Sequence, residues 1–406
     1  MHSAANLRFL MSVFLLLVVT GCNKKIQKDV PLDKPISEFQ SELLNIAFET
    51  ATSIPVDPHI KDRSKAQEAV VDVCLKLDQA RLAAAYAERI DDWRRGLCYA
   101  DIAFYCAEQG YTDSAEKYIE FAGSVAEKST GQKWQTDRIK TKIAQTYALL
   151  KQTEKAERYN SDLTNSETGK FQSAKISVSD ANSFDAQVEA LDSLIDRGDF
   201  DVIRNTLQAY AVLFDRFYDN AERRSLAEEK IRTALEKYKL PGFIFLELLA
   251  DISQSYIEHN DPNKALELVN EAKFILDNSQ WPLEQLIKYR TMLTELRFRA
   301  GETEKALGDA DAILNLYNEK KNLIINIYRA EAFRRIARMY SSMGNTQAAL
   351  SVYKLAVEAG VENPNSRPRA EDLSATCCSM VLYAVEPDAE LWSRIRQISE
   401  SLGAPW

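Results

Sequence analysis

Few side chains in this 406-residue chain stand where they could do chemistry. Six cysteines occur, at positions 22, 74, 98, 106, 377 and 378, and beyond the first segment the histidines are His59 and His259, each near a proline. A zinc site needs Cys, His or carboxylate partners at defined spacing, and neither histidine has them. Cys98 and Cys106 share a helix face but lie about 12 Å apart along its axis, too far to pair. With Cys22 set aside, five thiols at irregular spacing read as buried structural residues. The chain holds no H-E-x-x-H, no G-x-S-x-G, no phosphate-cradling glycine loop and no EF-hand pattern. Asp309-Ala310-Asp311 reads as a solvated helix face and Arg197-Gly198-Asp199 as a helix–helix turn. The sharpest polar signal is Arg334 with Arg338, one helical turn apart and able to clamp an acidic side chain or a C-terminal carboxylate. The plainer alternative is a charged face paired within itself, Glu331 with Arg334 or Arg335. The expectation is a protein that is not an enzyme and takes no metal or cofactor.

The elements that carry these residues are helices. Gly and Pro number 13 and 11, about half of average usage, which excludes turn-rich all-β folds. Hydrophobic residues make up 46%, enough for a core. No proline occurs between Pro58 and Pro241, as expected of long helices joined by short turns. Five turns align at Gly110, Lys151, Asn260, Gly301 and Gly344. Five residues beyond each stands Ala115, Ala156, Ala265, Ala306 or Ala349. Eight before each is Ile102, Ile143, Ile252, Leu293 or Ile336, and seven before is Ala103, Ala144, Ser253, Thr294 or Ala337. Tyr147, Tyr256 and Tyr340 stand four before three of the turns, with Cys106 and Arg297 departing. Small residues at fixed offsets from a turn let a first helix, A, cross a second, B, closely, while the larger ones fill the layer between neighbouring pairs.

This pattern resembles the tetratricopeptide repeat, which has a small residue in mid helix A, an aromatic soon after, Gly at the turn and Ala early in helix B. Two departures stand out: the turns lie 41, 41 and 43 residues apart instead of 34, and the Pro after helix B is missing. The expected fold is therefore all-α, an α-solenoid of antiparallel helix pairs, with a period of about 41 and a right-handed superhelix by resemblance. In that family helix A lines a concave, partner-binding groove. Carried over, the groove positions are Phe104 and Glu108, then Arg138, Thr141 and Gln145, then Gln254 and Glu258, Glu295 and Arg299, and Glu331, Arg334 and Arg338. Trp93, Trp134 and Trp281 precede helix-A segments and read as packing anchors.

The N-terminus reads as an address. Arg8 precedes an apolar run from Phe9 to Thr20, too short to cross a bilayer, and Val19-Thr20-Gly21-Cys22 closes it. The tetrad resembles the lipobox of bacterial lipoproteins. That resemblance implies cleavage before Cys22, a diacylglycerol on its sulfur, a further acyl chain (palmitate or similar) on its amine, and stable anchoring. Asn23 after the cysteine favours the periplasmic face of the outer membrane. Removing Met1–Gly21 takes away Arg8 and no acid, so the charge of −9 becomes −10, which argues against nucleic acid.

The expected organisation is a signal peptide over 1–21, a flexible tether over 22–40, helical repeats over 41–160, and a seam over 161–183 that is a loop or a short degenerate helix. Further repeats follow over 184–363, with a turn at Gly198 between a helix A and a helix B, and capping helices over 364–406. The functional expectation is a membrane-anchored scaffold that binds a protein or peptide partner in its groove. The alternative is a glycan- or small-molecule-binding lipoprotein of nutrient uptake.

Overall fold

One local device recurs at seven of the turns where a helix A gives way to its helix B. All five aligned turn residues have positive φ, between 58° and 96°, and Asp78 (58°) and Ala384 (49°) join them. The residue after each turns its N–H back to the carbonyl five residues before it: Gln79 to Cys74, Tyr111 to Cys106, Gln152 to Tyr147, Asp261 to Tyr256, Glu302 to Arg297, Asn345 to Tyr340 and Val385 to Met380, at 2.8–3.2 Å. This left-handed stop satisfies the carbonyls that the end of a helix leaves open. At Gly110, Gly301 and Gly344 it is cheapest, because a left-handed residue has no Cβ to crowd.

The protein's computed structural model describes residues 33–406 apart from 130, 162, 164 and 179–181. The expected signal segment and Cys22 lie outside the described residues. Among those residues there is no strand. The helices run α1 (Glu38–Ser53), α2 (Val56–Lys76), α3 (Ala80–Glu88), α4 (Arg94–Glu108), α5 (Thr112–Lys128), α6 (Lys133–Leu149), α7 (Thr153–Ser161), α8 (Asn165–Ser177), α9 (Phe184–Arg197), α10 (Phe200–Arg216), α11 (Ala221–Lys237), α12 (Gly242–Glu258), α13 (Pro262–Asp277), α14 (Leu283–Arg299), α15 (Thr303–Lys320), α16 (Asn326–Ser342), α17 (Thr346–Val361), α18 (Ser366–Leu382) and α19 (Ala389–Glu400). The fold is the expected all-α solenoid. The small helix-A and helix-B residues are buried, Ala103 and Ala115 on the packed pair α4 and α5 and Ala337 and Ala349 on the packed pair α16 and α17.

From α2 to α18 each even-numbered helix packs on the next even-numbered one, whereas successive odd-numbered helices barely meet. Rods that touch on one layer and splay on the other curve toward the touching layer. The even-numbered helices are therefore the inner wall. That wall has no end, because α18 packs on α2, and α1 lies against both. Gln40 donates to the Val381 carbonyl at 3.0 Å, Thr50 meets Ser399 at 3.1 Å, and Arg396 pairs with Glu42 at 2.6 Å. In every other unit the outer helix follows its inner helix in sequence. Here α18 receives α1, from the far end of the chain, as its outer partner, and the solenoid closes into a ring. Leu44 and Ala47 share the face of α1 that carries Gln40, and both are fully buried.

Four expectations change. The tether is shorter than 22–40, since Asp33 accepts from the Arg81 and Leu82 N–H groups at 2.8 and 3.1 Å, and Ser37 caps α1 in a reciprocal box with Gln40. The segment 364–406 is not a terminal cap; it is the closing unit, because its apolar face is covered by α1 instead of facing water. The seam at 161–183 contains α8, an inner helix that buries Phe171 and Ile176. Phe171 packs into a core that runs through the joined chain ends, and Ile176 into a second core spanning residues 176–300. Gly198 has ordinary negative φ and joins the outer α9 to the inner α10, with Asp199 capping α10 through its bond from the Val202 N–H at 3.1 Å.

Closure makes a test. Leu44→Ala should cost about 2–5 kcal/mol. Its increased amide hydrogen exchange should appear both in residues 38–53 and in residues 366–382, whereas an open array would confine the effect to the N-terminal helices.

Candidate functional site

The inner wall carries the groove positions, and most of them already have partners. Side chains one repeat apart, on successive inner helices, form a ladder of pairs. Lys142 reaches Asp101 at 3.2 Å, and Arg204 and Lys288 meet on Glu247 at 2.9 and 3.0 Å. Arg338 holds Glu295 with two bonds, at 2.7 and 3.1 Å, and lies over the Tyr383 ring. Arg334 donates to Asp372 at 2.9 Å. Glu331 takes Arg335 at 2.5 Å, and Arg299 donates to Gln254, which donates to Glu258. Gln145 donates to the Lys170 carbonyl at 2.8 Å.

The acid clamp expected of Arg334 and Arg338 is thus occupied from within: both guanidiniums are bound to carboxylates of neighbouring repeats. Thr141 is only 3% exposed and donates to the Asp137 carbonyl at 2.8 Å, so it faces the packing and not the lumen. Phe104, Glu108 and Arg138 remain more open. Lys142 sits 4.5 Å over the Phe104 ring, and Arg138 lies 5.8 Å from the Trp93 ring.

The electrostatics fit a crowded, water-filled interior. Burial pushes the carboxyls of Asp101, Glu108, Glu295 and Asp372 upward, against the pull of their cationic neighbours. Asp251 on α12 is open to solvent, yet surrounding protein, and then the Glu247 charge, push it up to about 6. Glu331 goes the other way: burial raises it, but Arg335, Arg334 and Lys288 together bring it below the usual range. Arg297, which departs from the aromatic pattern, is buried and bonded to Glu302 at 3.1 Å and Asn270 at 2.9 Å, so an ion network replaces a ring there.

The thiols at 74, 98, 106, 377 and 378 are free and buried, and burial drives each above its ordinary range. His259 caps α12, stacks on Tyr218 at 3.9 Å and meets Asp215 at 3.1 Å. Asp311 accepts from the Tyr340 hydroxyl at 2.8 Å and Asp309 lies 3.4 Å from Arg297, so that pair is tied down more than a solvated face requires. Among the described residues, no group of three His, Cys, Asp or Glu side chains could hold a metal, and no helix is long and apolar enough to cross a membrane.

One feature escaped the sequence reading. Helix α3 has nine residues where its outer neighbour α5 has seventeen, and the shortfall opens a cleft of about 780 Å³ against α4. Tyr99, Tyr118 and Phe121 line it in mutual ring contact, with Glu88, Asp91 and Arg95 at its edge. Its trace in the sequence is the spacing of 32 residues between the turns at Asp78 and Gly110, nine fewer than the next interval. Trp93 is buried, as an anchor should be, and meets Trp134 edge-on at 5.2 Å, but Trp134 itself is exposed.

No family model matches the chain, and no curated protein does. A solved structure described as a circular tandem repeat protein with novel repeat topology and enhanced subunit contact surfaces aligns over 89% of this chain and 94% of its own, at 14% identity and a TM-score of 0.24. At that score the closure of this ring rests on its own helix contacts alone.

Two outcomes check the account of the inner wall. In a double-mutant cycle, Arg338→Ala and Glu295→Ala should couple by about 1–3 kcal/mol in unfolding free energy, because either change alone leaves a half-buried charge unpaired. Asp251 is raised in the folded state, so its contribution favours folding below about pH 4 and is lost as pH climbs through 6. Asp251→Asn should therefore stabilise the protein at pH 7, by less than about 2 kcal/mol after solvent screening, with the gain vanishing near pH 4 in thermal melts.

Proposed function

We propose that the protein is a membrane-anchored scaffold that holds a protein or peptide segment within its ring. The observation that carries this reading is the closed inner wall. Nine inner helices spaced at about 9–10 Å enclose an opening of roughly 15–20 Å once side chains are allowed for. An opening of that size suits a single helix or an extended segment and excludes a folded domain. A wall locked by pairs between repeats is already in its binding shape, so a partner loses little affinity to ordering it. The more open side chains, Phe104, Glu108, Arg138, Asp251, Gln254 and Glu258, supply apolar, acidic and basic contacts. A lipid on Cys22 would raise the local concentration of ring and partner at the surface of the outer membrane that faces the periplasm.

The aromatic cleft beside α3 favours a second reading, a receptor for a glycan or another small molecule, since Tyr99 and Phe121 could stack on a sugar face beside carboxylates that accept its hydroxyls.

Cys22→Ser should move the protein from the membrane to the soluble fraction; continued pelleting with membranes would defeat the anchor. A photo-crosslinker at Phe104 or Gln254 on the inner wall should give discrete adducts that one at Glu120, on the outer helix α5, does not. Equal labelling from all three sites would count against a partner in the ring.

A further inference from the structure

A ring of hairpins has two rims. At one rim inner helices turn into outer helices, at seven places through the left-handed stops, and at the other outer helices turn back into inner ones. Exposed large apolar side chains gather at the second rim. Val56, Trp134 and Phe200 each stand in the first turn of an inner helix, and Phe274 lies in the last turn of the outer helix α13. The densest group is the connection from α15 to α16, where Leu323 is 73% exposed, Ile325 66%, Ile327 50% and Tyr328 38%. Four large apolar side chains within six residues are far from the scattered exposure that every protein shows.

This tip is held. A 3-10 turn at Lys321–Leu323 forms it, Ile324 is buried beneath it, and the Arg329 Nε donates to the Ile324 carbonyl at 2.9 Å. Arg329 also pairs with Glu362 of the next rim connection, and Asn326 donates to the Glu362 carbonyl. Lys320 and Lys321 flank the tip, exposed, and neither forms an ion pair among the described residues. The tip protrudes, so it suits insertion into a soft phase more than it suits a ligand that needs a groove. The other apolar side chains of the rim lie at the same ends of their helices, and the pairs between inner helices keep those ends in register.

We propose that this rim docks on a lipid bilayer, with Leu323, Ile325 and Ile327 entering the boundary between head groups and acyl chains. Tyr328 and Trp134 sit at head-group level, and Lys320 and Lys321 lie on anionic head groups. Rim contact is weak by itself and adds to acylation at Cys22, which decides the partition into the membrane fraction while the rim sets how the ring lies on it. The described chain starts at Asp33 on the opposite rim, and the eleven residues from Cys22 to Asp33 can reach roughly 37 Å. A 17-residue inner helix is about 26 Å long. One leaflet can therefore receive both the anchor and the apolar rim.

The test uses the full chain with a nitroxide at Ile325→Cys; the native thiols at 74, 98, 106, 377 and 378 are buried, and the parent chain labelled in parallel reports any reaction at Cys22. The probe is a vesicle of phosphatidylethanolamine and phosphatidylglycerol. On adding vesicles, the label should become oxygen-accessible and lose about tenfold in collision with a water-soluble nickel chelate. A label at Gln347→Cys, on the opposite rim, should keep its nickel contact. Leu323→Asp with Ile327→Asp, both at exposed positions and checked for helix content, should abolish the shift. A tip label that stays in water at the vesicle, equal shielding of both rims, or shielding without vesicles through contact with protein would each overturn the proposal. A chain that does not float with vesicles at all would do the same. Flotation of the parent chain lost on Cys22→Ser reports on the anchor separately, so either idea can fail alone.

Discussion

The contact on which this architecture depends is α1 against α18. A helix pair cannot bury its apolar face alone, so a solenoid leaves two such faces at its ends unless polar caps cover them. Here each end covers the other. Leu43, Leu44, Ala47 and Phe48 share one continuous core with Cys377, Val381 and Ile395, residues more than 300 positions away. Without that contact α18 would expose its outer face to water and α1 would have no partner to pack on. With it, every inner helix has two inner neighbours.

Closure explains the behaviour of the inner wall. In an open array the concave positions face solvent and stay free for ligands. In a ring the inner helices converge, and long charged side chains from neighbouring repeats come within reach of one another. Glu247 gathers Arg204 and Lys288 in this way, and Glu295 takes Arg338. The cationic partners offset part of the cost of crowding carboxylates together, which still shows in the raised carboxyls of Asp101, Glu295 and Asp372 and, without a cationic partner, of Asp251. Rigidity of the opening and scarcity of free charge on it thus have one origin. The surfaces left for partners are the opening itself, the cleft that short α3 uncovers, and the apolar rim.

Much of this was legible in the residues. The offsets of Ala115, Ala156, Ala265, Ala306 and Ala349 from their turns located the crossings, and the turn residues carry the positive φ that glycine and asparagine at such places imply. Arg334 and Arg338 were found as a charged pair, and the plainer alternative, a face paired within the protein, describes them better, although Arg334 pairs with Asp372 and not with Glu331. Segment 161–183 hid its helix because Ser, Asn and Thr mask the apolar positions, so only Phe171, Ala174 and Ile176 mark the buried side of α8.

The sequence by itself determined the helix pairs, their turns and their small-residue crossings, because each depends on residues a few positions apart and on steric rules that hold in any context. Only the tertiary structure decided that the array closes, which charges are spent in doing so, and which rim carries the exposed apolar side chains. Those outcomes depend on the curvature summed over all the repeats and on contacts between residues 340 to 354 positions apart, such as Gln40 with Val381 and Glu42 with Arg396. No local periodicity records a distance of that kind.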